Sequence, residues 1–362
     1  MADDTDEKGE AGGAGDPAGP PHTRARHPVW WLVSAALIAA AVLIAVDRRQ
    51  DLLSARHLIA TARPERLAVA AFFEALSLAC LAALQWRLLR LGGARLGLGL
   101  VGVMIVAANA VAGALPGGAA FAAAWQFGQM RRRRVPPVLA GSVLAVAGLL
   151  SGIALVVLLV AGVLAGGTAG PAGVRTAVLW PAAFLVLLTA AGAAASRLRP
   201  VRRRAWRLWR RLGVRSRRMW EIEDGLSHLV RRLRTGRPGV RPWLVPFTLA
   251  AANWILDAAC LAACAWSLDI TLPWPGTLVA YTLTQMTGAL RLTPGGLGIV
   301  ETSLAALLVL YGLRADQAIA VTLLYRIASY WALQPIGWAG WLGLTIAARR
   351  RARDGAGGHP GG

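Results

Sequence analysis

Long apolar runs dominate the chain, and most exceed what a buried soluble helix requires. A membrane-crossing helix needs about twenty apolar residues. Runs near that length predict helices over Val29–Val46, Leu67–Leu84, Val138–Leu164, Val174–Ala195 and Trp243–Trp266, and a last one from Gln317 to Ile346. Two further runs are interrupted. The first covers Leu98–Leu115, breaks at Pro116-Gly117-Gly118 and resumes over Ala119–Met130. The second covers Thr277–Leu290, breaks at Pro294-Gly295-Gly296 and resumes over Leu297–Tyr311. At about 1.5 Å per residue, an arm of about fifteen residues covers about 22 Å of a hydrocarbon core about 30 Å thick. The arms are therefore mostly too short to cross. The pattern predicts an all-α polytopic membrane protein with about six full spans and two opposed re-entrant hairpins. If the two tips meet near the midplane, the hairpins form an inverted repeat of the kind that surrounds a substrate site.

Composition sharpens this picture. Hydrophobic residues make up 56% of the 362, charged residues 16%, and mean hydropathy is +0.52. Those values exclude an ordinary soluble domain. The net charge of +21 would point to nucleic acid in a soluble protein. Here the arginines gather at the ends of apolar runs, and no groove-reading helix or aromatic–basic sheet pattern accompanies them. Membrane lipids, not nucleic acid, are the expected partners. A homo-oligomer or an envelope-biosynthesis partner remains compatible with the sequence.

Arginine asymmetry orients the chain. The segment from Arg197 to Arg241 must be cytoplasmic, as should Arg131–Arg134 and Arg349–Arg351. The loops Ala165–Gly173 and Ser267–Gly276 carry no lysine or arginine and are expected outside. Both interrupted runs must then return to the side they left, the first entering from the cytoplasm and the second from outside. The expected organisation is a disordered acidic tail over 1–27, a membrane domain over 28–348 with a basic cytoplasmic segment at 197–241, and a basic tail over 349–362. Both termini fall in the cytoplasm of a plasma-membrane protein. No cleavable signal peptide is expected. One loop conflicts: Asp47–Arg66 holds five arginines yet falls outside.

Polar residues within the apolar runs are few, and each must face protein or a cavity. They are Glu74, Asn109, Asn253, Asp257, Gln285, Arg291, Glu301 and Arg326. Asn253 and Asp257 share a helix face, where helix–helix hydrogen bonding is the simplest role. Glu74 stands alone and is either neutral or paired with an arginine. Arg291, Glu301 and Arg326 fall at one expected depth. Two guanidiniums and one carboxylate leave net positive charge there, and arginine forks match phosphate oxygens. A phospholipid headgroup is the natural ligand. The half-helix starting near Gly296 would add its positive end. The simpler alternative is that Arg291 and Glu301 only complement helix dipoles. Leucine at Gly295 or Gly296 should not be tolerated, with Gly340 as a milder comparison. Cys80, Cys260 and Cys264 fit small core positions. No histidine lies in an apolar run to complete a metal site, so neither a metal nor a cofactor is implied.

The stretch Pro294-Gly295-Gly296-Leu297-Gly298-Ile299-Val300-Glu301, then Leu323-Leu324-Tyr325-Arg326 and Tyr330-Trp331, resembles the C-terminal signature of the lysylphosphatidylglycerol synthase transmembrane-region family of flippase-like membrane proteins. Trp86-Arg87-Leu88-Leu89 and Leu115-Pro116-Gly117-Gly118 are similar to its earlier signatures. The resemblance covers about Val29 to Ile346 and implies movement of aminoacylated or other lipids between leaflets. It makes Arg291, Glu301, Arg326, Pro294, Gly295, Gly296 and Tyr325 the primary substrate-binding candidates. Asn109, Pro116, Gly117, Gly118, Asn253, Asp257 and Gln285 are secondary candidates. Two departures matter. Ala119-Ala120-Phe121 stands where many relatives carry Gly-Glu and a basic residue, which weakens the case for substrate contacts from the first hairpin. The aminoacyltransferase domain of the synthases is not expected within the chain, so synthase activity is not carried over. No P-loop, His-Glu-x-x-His pair or converging Ser/His/acid set favours an enzyme. The expected function is a lipid flippase or transporter. The alternatives are a membrane enzyme or a non-transporting accessory subunit of lipid-linked envelope synthesis.

Overall fold

A computed structural model describes residues 57–114, 117–166, 241–289 and 293–356. The expected helices Val29–Val46 and Val174–Ala195, most of the basic segment and the 1–27 tail lie outside the described residues. All regular structure among the described residues is helical: α1 Pro64–Leu91, α2 Leu98–Ala114, α3 Gly118–Arg132, α4 Pro137–Ala165, α5 Arg241–Ser267, α6 Trp274–Ala289, a 3-10 turn Pro294–Gly296, α7 Ile299–Leu310, α8 Ala315–Arg326, a π-helical turn Ile327–Trp331 and α9 Leu333–Ala356. Three of these helices are long and apolar enough to cross a membrane: α1, α4 and the Trp243–Ser267 part of α5. Their outer faces present large apolar side chains such as Phe72, Leu149, Leu164 and Ile255. Lipid, not water, suits such a surface.

The centre is the antiparallel pair α1 and α5. Arg63, just before α1, donates its N–H to Ser267 at the end of α5, while Ser77 meets Asn253 half-way along both helices. Two apolar clusters lie at either end of this pair. One joins Leu84 and Leu88 of α1 to Met104 of α2, Val143 of α4, Ala250 of α5 and Leu344 of α9. The other joins Ala70 of α1 to Leu261 of α5, Tyr281 of α6, Leu304 and Leu308 of α7, and Val321 of α8. Between them, at mid-helix, lies the polar residue set described below.

Each interrupted run folds back on itself. Ala108 and Ala112 of α2 pack on Ala122 of α3, with Trp125 alongside. A Cβ on Gly118 would stand 2.1 Å from the Ala112 carbonyl oxygen, so only glycine permits this approach. In the second pair, Gly288 near the end of α6 meets Val300 at the start of α7, and Gly276 at the start of α6 meets Tyr311 just past α7. The arms have 17, 15, 16 and 12 residues. The outer ends of each pair lie near each other. Gly92–Leu96 and Arg133–Pro136 line one cavity at the arginine-rich end. At the opposite end, Arg63 and Arg66 bind Asp269 at 2.9 and 2.5 Å, and the Arg66 guanidinium lies over the Trp266 ring at 4.4 Å. Two arginines of the conflicting loop thus share one carboxylate beside the Ser267–Gly276 loop.

The last expected span is not one continuous α-helix. After Arg326 the chain widens into a π turn, marked by the Ala332 N–H donating to Ile327 O at 2.9 Å. Pro335 follows in the first turn of α9 and has no N–H for the carbonyl four residues back, which loosens the helix there. The helix then runs on to Ala356, through arginines expected in a tail.

Candidate functional site

Glu301 lies in the first turn of α7, whose cap Gly298 has φ +80°. Its side chain reaches back so that Oε2 accepts the Gly298 N–H at 2.8 Å. A carboxylate here complements the positive end of the helix. Its other oxygen, Oε1, accepts Nε–H of Arg326 at 2.7 Å. Arg326 is the last residue of α8 and is 7% exposed. Its Nη2 donates to the Gly295 carbonyl at 2.9 Å, and its guanidinium lies over the Tyr330 ring at 4.3 Å. One arginine therefore ties the Pro-Gly-Gly turn to the starts of α7 and of the π turn. Buried charge is tolerable when each ionised group is paired and hydrogen-bonded in this way.

Tyr330 brings the two interrupted runs together. Its hydroxyl faces Gly113 O, at the end of α2, at 3.4 Å. A Cβ on Gly113 or on Gly295 would stand 2.2 Å from the same hydroxyl. Gly295 also has φ +64°, a conformation that glycine alone adopts cheaply. The turn of the second pair and the end of α2 thus touch one aromatic side chain. π turns recur at functional sites, and this one carries that side chain.

A second polar cluster adjoins the first. Asp257 of α5 accepts from the Tyr281 hydroxyl at 2.7 Å, the Tyr325 hydroxyl at 2.8 Å and Gln285 Nε2 at 2.7 Å. Gln285 also reaches Tyr325 at 3.1 Å. Glu74 of α1 is 6% exposed, and its side chain meets Asp257. Its Oε2 has no donor. A cavity of ≈ 200 Å³ joins both clusters, and Glu74, Asn109, Asp257, Gln285, Arg326 and Tyr330 are among its walls.

Of the primary candidates, Glu301, Arg326 and Gly295 are bonded together, and Tyr325, next to Arg326 in the chain, lines the same cavity. Gly296, with φ +70°, lies in the same turn, as does the backbone of Pro294. Arg291 lies outside the described residues. Among the secondary candidates, Asn109, Asn253, Asp257 and Gln285 line the cavity. Asn253 takes the expected interhelical role: its backbone and side-chain oxygens accept from Ser77 at 2.9 and 3.2 Å. Gly117 caps α3 with φ +67° and Gly118 packs on α2, both away from the cavity; Pro116 lies outside the described residues. Of the two alternatives for Glu74, no arginine pair is seen among the described residues, and its neighbour is the Asp257 carboxyl. Sequence reasoning missed the roles of Glu74, Tyr281 and Tyr330. Only the rarity of an acid in an apolar run marked Glu74.

These features define a polytopic helical membrane protein with a polar cavity at mid-helix. The profile of the lysylphosphatidylglycerol synthase TM region matches residues 31–337, and the chain belongs to that family. The match is to the membrane region of those synthases. A UPF0104 membrane protein of Methanothermobacter thermautotrophicus is 26% identical over 141 residues, 36% of this chain and 42% of that protein. A second match to a UPF0104 membrane protein of the same organism is 31% identical over 97 residues, 27% of this chain and 28% of that protein. The chain thus spans less than half the length of the curated relatives it matches.

Proposed function

We propose that this protein moves an anionic or modified phospholipid, including a glycophospholipid, between the leaflets of the cytoplasmic membrane. The two interrupted helix pairs enter from opposite faces and form an inverted pair of re-entrant hairpins. The observation that supports this most is the convergence of Gly113 and Gly295 on Tyr330, above a cavity walled by Arg326. Irregular backbone and buried charge at membrane depth are tolerated where protein encloses them or a watery cavity reaches them. In the form described, Arg326 is held by Glu301 and Gly295. A headgroup phosphate takes the place of Glu301 on the guanidinium, and Glu301 reclaims it as the headgroup leaves. Glu301 retains its Gly298 N–H bond in both states, so the exchange leaves no buried carboxylate without a donor.

Purified protein in phosphatidylcholine vesicles, with a trace of fluorescently labelled phosphatidylglycerol, tests this reading. A membrane-impermeant quencher reports how fast inner-leaflet label becomes exposed. Exposure faster than in protein-free vesicles, and slowed by Arg326→Lys, is the expected result. Equal rates with and without protein would refute the proposal.

A further inference from the structure

Glu74 is buried and Asp257 part-buried, their carboxyls meet across the α1–α5 pair, and none of the ion pairs among the described residues reaches either. Two ionised carboxylates at such range repel strongly. Their surroundings differ. Asp257 receives three donors, from Tyr281, Gln285 and Tyr325. Glu74 Oε2 receives none, and Glu74 is among the residues that line the cavity. One arrangement satisfies every atom: Asp257 is the anion, and Glu74 carries a proton that it donates to Asp257. The other titratable groups facing the pair are Cys260 and Cys264 of α5, Tyr281 of α6 and Tyr325 of α8. Arg326 of α8 shares the cavity, with its charge balanced by Glu301 of α7. The residues that α2 and α9 present to the cavity, Asn109 and Gln334 among them, are uncharged.

We propose that Glu74 and Asp257 form a proton-binding pair that couples lipid movement to the proton gradient, an inference that rests on the transport function proposed above. With one proton the pair holds a net charge of about −1 beside a neutral Arg326–Glu301 pair, which repels an anionic headgroup. A second proton, on Asp257, makes the pair neutral and admits the anion. Linkage requires the converse: a bound anion strengthens proton binding. The mechanical path is short. Tyr325, which donates to the Asp257 anion, immediately precedes Arg326 on α8. Proton and anion bind together and leave together, so the step transfers no net charge for a singly charged lipid.

The same vesicles test this, with phosphatidylglycerol as the labelled probe, an imposed pH step and the membrane potential clamped. At one proton per lipid, a one-unit step shifts the steady-state ratio of label between leaflets by up to about tenfold. Asp257→Asn, which removes the group that takes the second proton, should bring that ratio back to about one, whatever its rate, whereas Glu74→Gln, which fixes the singly protonated form of the pair, should keep the pH dependence. Its amide can still donate to Asp257, so the fold is retained. Movement of label with the same ratio at every pH step overturns proton coupling and leaves the transport reading intact. No movement above protein-free vesicles overturns the transport reading instead. Infrared spectroscopy then decides the pair independently. A protonated-carboxyl carbonyl band in the wild type, shifted in heavy water and missing in Glu74→Gln, supports it; a wild type without the band overturns it.

Discussion

The two Pro-Gly-Gly breaks share a sequence but differ in what holds them. The first is fixed by close packing: Gly117 caps α3, and Gly118 sits against the α2 backbone. The residues after it, Ala119-Ala120-Phe121, are apolar, and Phe121 is 57% exposed. The second is fixed by charge and hydrogen bonds: Arg326 grips Gly295 O, and Glu301 caps α7 while holding Arg326. One break is held by backbone packing and the other by an ion pair and its hydrogen bonds. A family motif therefore marks where the helix stops, and its flanking residues decide whether chemistry follows.

The largest test of this contrast is Arg326→Met. Removing one partner of a buried ion pair costs about 3–5 kcal/mol, because the remaining charge is left uncompensated. Thermal unfolding in detergent should fall steeply. Combining it with Glu301→Gln should recover part of the loss, and an equal loss in both variants would deny that the pair is the fastener. Alanine at the two glycines separates the breaks next. Gly295→Ala imposes about 1–2 kcal/mol of left-handed strain and drives a methyl into Tyr330. It should lower both stability and lipid movement. Gly118→Ala meets the Ala112 backbone and should lower stability while sparing the dependence of transport on anionic lipid. Gly340 remains the milder position, with no positive φ and a nearest contact at 3.1 Å to the Val103 side chain, against 2.2 and 2.8 Å at Gly295 and Gly296. Gly343, with nothing within 4 Å, should accept leucine with little change in melting temperature.

Tyr330→Phe keeps the ring over Arg326 and removes the hydroxyl that meets Gly113. The expected cost is about 1 kcal/mol or less, since a 3.4 Å contact is long for a hydrogen bond. A larger loss would mean that the first break depends on the second for more than packing. The smallest effect lies outside both breaks. The Arg66 hydrogen bond, with the Arg63 and Arg66 charges, holds the Asp269 carboxyl below its ordinary value. A lowered carboxylate stabilises the fold above its ordinary titration range, and that contribution fades as pH falls through the lowered value. Asp269→Asn should therefore melt slightly lower at neutral pH, with the difference closing in acid.

How much the sequence disclosed follows from what each signal measures. The apolar run Leu67–Leu84 found a helix that extends from Pro64 to Leu91. Hydropathy ends where lipid tails end, whereas backbone hydrogen bonding continues past Trp86 and Arg87. The turn at Pro294–Gly296 and its partner Arg326 were legible, because glycine, proline and charge are costly in an apolar run. The contact of Glu74 with Asp257 was not, since an acid in one helix carries no sign of which distant helix it faces. The widening after Arg326 was also hidden: the apolar run from Gln317 to Ile346 continues through it, and hydropathy does not tell π from α winding.

That widening fixes how two helices are counted against each other. A π turn holds one residue more than regular winding would, and each residue turns an α-helix by about 100°. Removing one residue between Ile327 and Trp331 would restore regular winding and rotate α9 by about that angle relative to α8. Gly337 and Gly340, which now seat against Val106 and Val103 of α2, would then face elsewhere. The spare residue acts as a phase-setting shim: it lets one continuous stretch of chain grip the ion pair at one end and keep its glycine seam on α2 at the other.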